Sequence, residues 1–273
     1  MTLHQNSILK PLPSVPVVEA RVFVDKKFAG RTTPLTMICT TKGDDQADVY
    51  VEYVVKFYAD MDFGVCSLAR ELYAALLGSA FGFTIPPTAV VNIPSELADS
   101  LDGDVARKVG NSPGLNFGSK LIESPVILNS LPREHLQLGA DIFAFDMLIQ
   151  NIDRRKEKPN MFQSQSGLVL FDHELAFFCA KPEIVLGGLP EPWEFKTQNP
   201  TGHVLYDHLS GKAVQFDDFV AKLSAATDSL LADIEDRIPN EWHSPEIANI
   251  RRHLVKARDN AGKFKRALQE TLV

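Results

Sequence analysis

The chain has little cysteine, and what it has follows no metal-binding spacing. Cys39, Cys66 and Cys179 are its three. An odd, scattered set argues against a disulfide framework, and a reducing, cytoplasmic compartment is the simplest expectation. No apolar run approaches the ~18 uninterrupted residues that read as a membrane span. The opening MTLHQNSILKPLPSVP lacks a basic start followed by an apolar stretch, so no secretory signal is expected there. Positive charge is in deficit. The formal net charge is −7, which does not suggest affinity for nucleic acid. Arg251, Arg252, Lys256, Arg258, Lys263, Lys265 and Arg266 cluster late and read as the solvated face of a terminal helix. Internal repeats and low-complexity tracts are missing too.

What remains is an ordinary globular composition, 45% hydrophobic and 23% charged over 273 residues. That length buries a full core and suits one large domain or two lobes. Segments 20–25, 34–40 and 47–58 are rich in β-branched and aromatic residues and read as strands. Segment 65–82 is helical, with Leu68, Leu72, Leu76 and Ala80 on one face. A short strand is expected at 86–94, a polar loop at 95–115 and another strand at 117–122. Residues 131–150 are apolar on nearly every side, which implies a central buried helix. Helical patterns also occupy 203–211, 215–236 and 244–271.

Between those blocks lies the most informative stretch, NIDRRKEKPN at 151–160, followed by LVLFDHELAF at 168–177. It sets Asp153, Asn160 and Asp172 in order along a loop and a hairpin. Two carboxylates and an amide oxygen suit a divalent cation on a nucleotide triphosphate, because hard cations take oxygen ligands and share them with phosphates. Protein kinases use this arrangement, with a loop Asp, a following Asn and a metal-binding Asp. They place the Asn five residues after the loop Asp, whereas here the separation is seven. The plain alternative is an Asp/Asn-rich turn. Further upstream, Lys56 ends the strand YVVKF and Glu71 sits on the next helix, in the order of a kinase lysine–glutamate pair. Taken singly, they read as an edge-strand lysine and a solvated glutamate.

Asn151, Asp153, Arg154, Pro159 and Asn160, with the Asp172–His173 pair, resemble the HipA-like kinases. The resemblance extends to the G-x-T-x-P segment at 30–34, the LGSAFGFTIPPTAVV stretch and the FGSK strand, spanning roughly residues 20–180. It implies an α+β, two-lobed protein-kinase-like fold. A β-rich lobe with one main helix would cover 1–122 and a helical lobe 123–273. It implies an ATP- and Mg2+-dependent phosphotransferase, most simply a Ser/Thr protein kinase of bacterial type.

Asp153 would then orient the acceptor hydroxyl and take its proton, while Asn160 and Asp172 hold magnesium. Lys56, fixed by Glu71, would meet the α- and β-phosphates. Gly30, Arg31, Thr32 and Thr33 stand where a phosphate-covering loop belongs, although a plain hairpin turn explains them equally well. The backbone of Ile122, Glu123 and Ser124 would contact adenine. One of Arg154, Arg155, Lys156 and Lys158 would neutralise the γ-phosphate, the others being solvated charges. The acceptor, protein or small molecule, is not legible. A non-catalytic nucleotide-binding module and a small-molecule phosphotransferase or nucleotidyl transferase stay open as alternatives.

Overall fold

The computed structural model describes residues 8–26, 32–43, 47–164, 167–180 and 190–273. Five N-terminal strands close into a barrel: β1 (Val17–Lys26), β2 (Leu35–Lys42), β3 (Asp48–Lys56), β4 (Thr88–Ile93) and β5 (Gly114–Lys120). Their order around it is β1-β2-β3-β5-β4, antiparallel at every seam but the parallel β1–β4 closure. Strand alternation sends Val18 and Ala20, Leu35, Met37 and Cys39, Val55, and Ala89, Val91 and Ile93 inward as one apolar cluster. At Gly118 a Cβ would meet Val91 Cγ2 at 2.6 Å, so glycine lets β4 and β5 approach.

Helix α1 (Val65–Ala80) is buried on nearly every face. It packs on β5 and, on its other side, shares the large second core with the C-terminal helices. Segment 95–115 differs from the expected loop. It holds a 3-10 helix, Ser95–Ser100, and helix α2 (Gly103–Gly110). Val105 and Val109, one turn apart, bury against the barrel cluster. Only those two apolar positions mark the helix, and the polar residues around them hide it.

Helix α3 (Leu136–Leu148) is the expected central helix, entered through a 3-10 turn at Arg133–His135. A three-stranded antiparallel sheet follows: β6 (Val126–Ile127), β7 (Met161–Ser164) and β8 (Gly167–Leu170), in the order β6-β7-β8. The C-terminal part is helical. It comprises α4 (Tyr206–Leu209), α5 (Asp217–Ala225), α6 (Asp228–Glu235), α7 (Pro245–Asp259) and α8 (Ala261–Thr271). Two long helical patterns are therefore each divided. Thr227 accepts from Leu230 N and caps α6, which ends α5 before it. Asn260 turns its side chain back onto the Lys256 carbonyl at 3.0 Å and separates α7 from α8. The 203–211 pattern shrinks to a single α-helical turn, α4. The whole is a mixed α+β structure with an N-terminal sheet and a helical C-terminal part, consistent with a kinase-like fold.

Candidate active site

Lys56 is the last residue of β3, and Glu71 lies on the second turn of α1. The barrel and the helix bring them together inside the protein, with Lys56 Nζ 2.8 Å from Glu71 Oε2. The same ammonium is 2.5 Å from Asp172 Oδ1 and 3.2 Å from Glu174 Oε2, although the last contact has no hydrogen-bond geometry. Burial alone would lower the Lys56 pKa. The carboxylates of Asp172, Glu71 and Glu174 outweigh it and hold the lysine well above its usual value. Burial pushes Asp172 and Glu71 up, and Lys56 reverses this so that both fall below the ordinary carboxylate range. Glu174 moves the other way. Its burial, with Asp172 and Glu71 close by, exceeds the help from Lys56.

Asp172 follows β8 and Asn160 precedes β7, both in the left-handed backbone region at φ 63° and 49°. Asn and Asp tolerate that conformation better than most residues. Asp153 lies in the 151–160 loop, where its carboxylate is paired with Lys158 Nζ at 2.5 Å and Arg155 at 3.2 Å. Lys158 also reaches Asp172 Oδ2 at 2.8 Å, so one ammonium joins the two carboxylates. The amide nitrogen of Asn160 is turned toward Asp153 at 3.4 Å, which leaves Oδ1 as an acceptor for a cation.

The loop is held from below. Asn151 donates to Asp146 Oδ1 and accepts from Asp153 N. Arg154 is fully buried. Its Nε donates to Asp146 Oδ2 at 2.6 Å, Nη1 reaches the Asn160 and Phe171 carbonyls, and Nη2 meets His173. His203 completes the set, donating from Nε2 to Asp146 while Nδ1 accepts from Leu205 N. Burial would raise the Asp146 carboxyl, but Arg154 and His203 bring it down to about 2. Asp146 is a fully buried carboxylate on the mostly apolar helix α3, and a buried charge demands partners. It was not singled out in the sequence, although that signal could have found the network. Glu174 escaped notice because nothing in FDHEL separates a buried glutamate from a surface one.

Of the four loop cations, Arg154 is thus internal, Lys156 pairs with Asp207, and Arg155 and Lys158 face Asp153. Thr32 and Thr33 show other features. The Thr32 carbonyl accepts from Lys108 Nζ at 2.6 Å, and Thr33 takes φ 42°. Among the described residues neither is hydrogen-bonded to Lys56, Asp153 or Asp172. Gly30 and Arg31 lie outside the described residues. Ile122, Glu123 and Ser124 run from β5 toward β6, which pairs with β7, so they join the barrel to the hairpin below Asn160.

The donor set is all oxygen, and one carboxylate oxygen each from Glu71, Asp172 and Glu174 lies within 4.8 Å of the others. That chemistry fits a hard divalent cation with partial phosphate ligation. Among the described residues no helix is long and apolar enough to cross a membrane. No curated protein matches the chain. A family model for the HipA-like kinases matches residues 23–271, nearly the full length of barrel and helices. The chain belongs to the HipA-like kinase family and is a kinase.

Proposed function

We propose that the protein transfers the γ-phosphate of ATP, with magnesium, to a serine or threonine hydroxyl of a protein. The proposed body is a two-lobed protein-kinase-like fold, with residues 1–122 as the nucleotide lobe and 123–273 as the helical lobe. The observation that carries this reading is the placement of Lys56 between Glu71 and Asp172, with Lys158 linking Asp172 to Asp153. Phosphoryl transfer depends on positioning and on neutralising phosphate charge, and this cluster supplies both.

In this reading Lys56, steadied by Glu71, binds the α- and β-phosphates. Asp172 and Asn160 would hold magnesium, which supplies charge neutralisation at the phosphates. Asp153 orients the acceptor hydroxyl and receives its proton, and its shielded carboxylate is available once Lys158 turns to phosphate. The Ile122–Ser124 backbone would contact adenine, and Thr32 and Thr33 would belong to the segment that covers the phosphates. The choice of a protein acceptor follows from the family, and the cluster itself accommodates any hydroxyl. Incubating the protein with ATP and magnesium and reading intact mass tests the activity. A gain of phosphate mass, or release of ADP, is the expected result. Neither product, at millimolar ATP and with magnesium present, overturns the reading.

A further inference from the structure

His173 is fully buried beside the cluster. Its Nε2 lies 3.0 Å from Arg154 Nη2. A guanidinium only donates, so Nε2 accepts and the ring proton sits on Nδ1. Protonating both nitrogens would set two donors against each other in a dry site. The tautomer is therefore dictated by Arg154, which is itself fixed by Asp146 and by the Asn160 carbonyl. Nδ1, however, has no hydrogen-bond partner. It faces Glu71 Oε1 at 3.7 Å, while the backbone N–H of His173 donates to Glu71 Oε2 at 2.8 Å. Buried donors are nearly always satisfied, so a lone N–H aimed at a carboxylate just beyond bonding distance needs an account.

We propose that His173 is a positioning residue for phosphoryl transfer. Its ring, held by Arg154, closes its Nδ1–H onto Glu71 as Lys56 turns from Asp172 to the nucleotide phosphates. The inference rests on the reading of Lys56 as the phosphate-binding lysine. Lys56 Nζ is here shared between Glu71 and Asp172 at 2.8 and 2.5 Å. Lys56 and the His173 backbone N–H both hold Oε2 of Glu71, so as Lys56 turns toward phosphate oxygens a donor at Oε1 would keep the carboxylate from rotating. His173 supplies that donor and connects it, through Arg154, to the loop that carries Asp153. Lysine geometry and loop geometry then become fixed together, which matters because small misplacements of reacting groups cost large factors in rate.

Two substitutions separate the ring nitrogens. His173→Asn keeps a donor near the Nδ1 position and loses the acceptor for Arg154. His173→Gln keeps an acceptor near Nε2 and loses the donor to Glu71. Single-turnover consumption of ATP in magnesium gives the rate, calorimetric titration with a non-hydrolysable ATP analogue plus magnesium gives affinity, and thermal unfolding gives stability. H173Q is expected to lose tenfold or more in rate at saturating ATP with affinity within threefold, and H173N, which keeps the donor to Glu71 but gives up the link to Arg154, to lose less than H173Q. Equal rates for H173Q and the parent overturn the inference. So do equal losses in both variants that track their unfolding temperatures. A parent protein that does not bind the analogue overturns the nucleotide-site reading instead.

Discussion

At the scale of single residues, the two carboxylates that share Lys158 have separable proposed duties. Among the described residues the Asp153 carboxylate meets loop cations and Asn160, whereas the Asp172 carboxylate also holds Lys56. Asp153→Asn should keep ATP-Mg affinity and lose transfer by about 10²–10⁴, the usual cost of removing a positioned base. Asp172→Asn should weaken magnesium-dependent nucleotide binding as well, because it would remove one of the proposed oxygen ligands. Titration calorimetry beside a transfer assay distinguishes the two, and a fast Asp153→Asn enzyme would show that the loop assignment is wrong. Arg154 carries a different prediction. It neutralises Asp146 where neither side chain meets solvent. Arg154→Met should destabilise the fold by about 3–5 kcal/mol, since it strands a buried charge. Adding Asp146→Leu should recover much of that loss. Urea unfolding of both variants reads the outcome, and an additive double variant would mean that the pair does not act as a unit.

At the scale of elements, strands and α1 were legible from their apolar pattern, and α3 from being apolar on nearly every side. The β3 lysine, the α1 glutamate and the order Asp153, Asn160, Asp172 stood out through their resemblance to kinase motifs, once those elements gave them an order. Helix ends were not. Thr227 and Asn260 break two patterns through local side-chain hydrogen bonds, and an apolar stripe runs on across such breaks unchanged. Helix α2 was hidden because only Val105 and Val109 meet the barrel. The Arg154 network was hidden because its members sit on a helix, a loop, a strand end and the distant His203, which no periodicity links.

One contact between elements gives a pH prediction. His253 on α7 donates from Nε2 to the Leu148 carbonyl at 2.8 Å, satisfying the last turn of α3. Burial, partly offset by that bond, lowers its pKa from 6.5 to about 4. Between those values the unfolded chain binds the proton and the folded chain does not. Stability is therefore full above pH 6.5 and falls as pH drops toward 4, by about 3 kcal/mol at most. His253→Gln retains a donor but cannot titrate, so its unfolding free energy should depend less on pH across that window. An unchanged slope in the variant would remove His253 as the cause.

At the scale of the molecule, barrel, α1 and hairpin converge on a cluster whose cation seats are already filled by the protein itself. Both oxygens of Asp172 are taken, Oδ1 by Lys56 and Oδ2 by Lys158. A metal ion approaching alone must displace two ammonium groups from one carboxylate, and Lys56 would then be left buried beside the incoming positive charge. Nucleotide phosphates change that balance, since they offer both lysines new anionic partners while adding oxygen ligands for the metal. Binding of ATP and of magnesium should consequently be strongly coupled, each raising the affinity of the other by the same factor. Thermal unfolding exposes the coupling directly. Magnesium alone, at a few times its expected working concentration, should leave the midpoint nearly unchanged. ATP with magnesium at ~100 times the dissociation constant should add roughly 2.7 kcal/mol of stability. Lys158→Met should loosen the requirement, letting magnesium alone produce part of the shift, because one of the two seats on Asp172 is vacated. A full shift from magnesium alone in the parent protein would show that the lysines do not guard the site, and the coupling argument would fail with it.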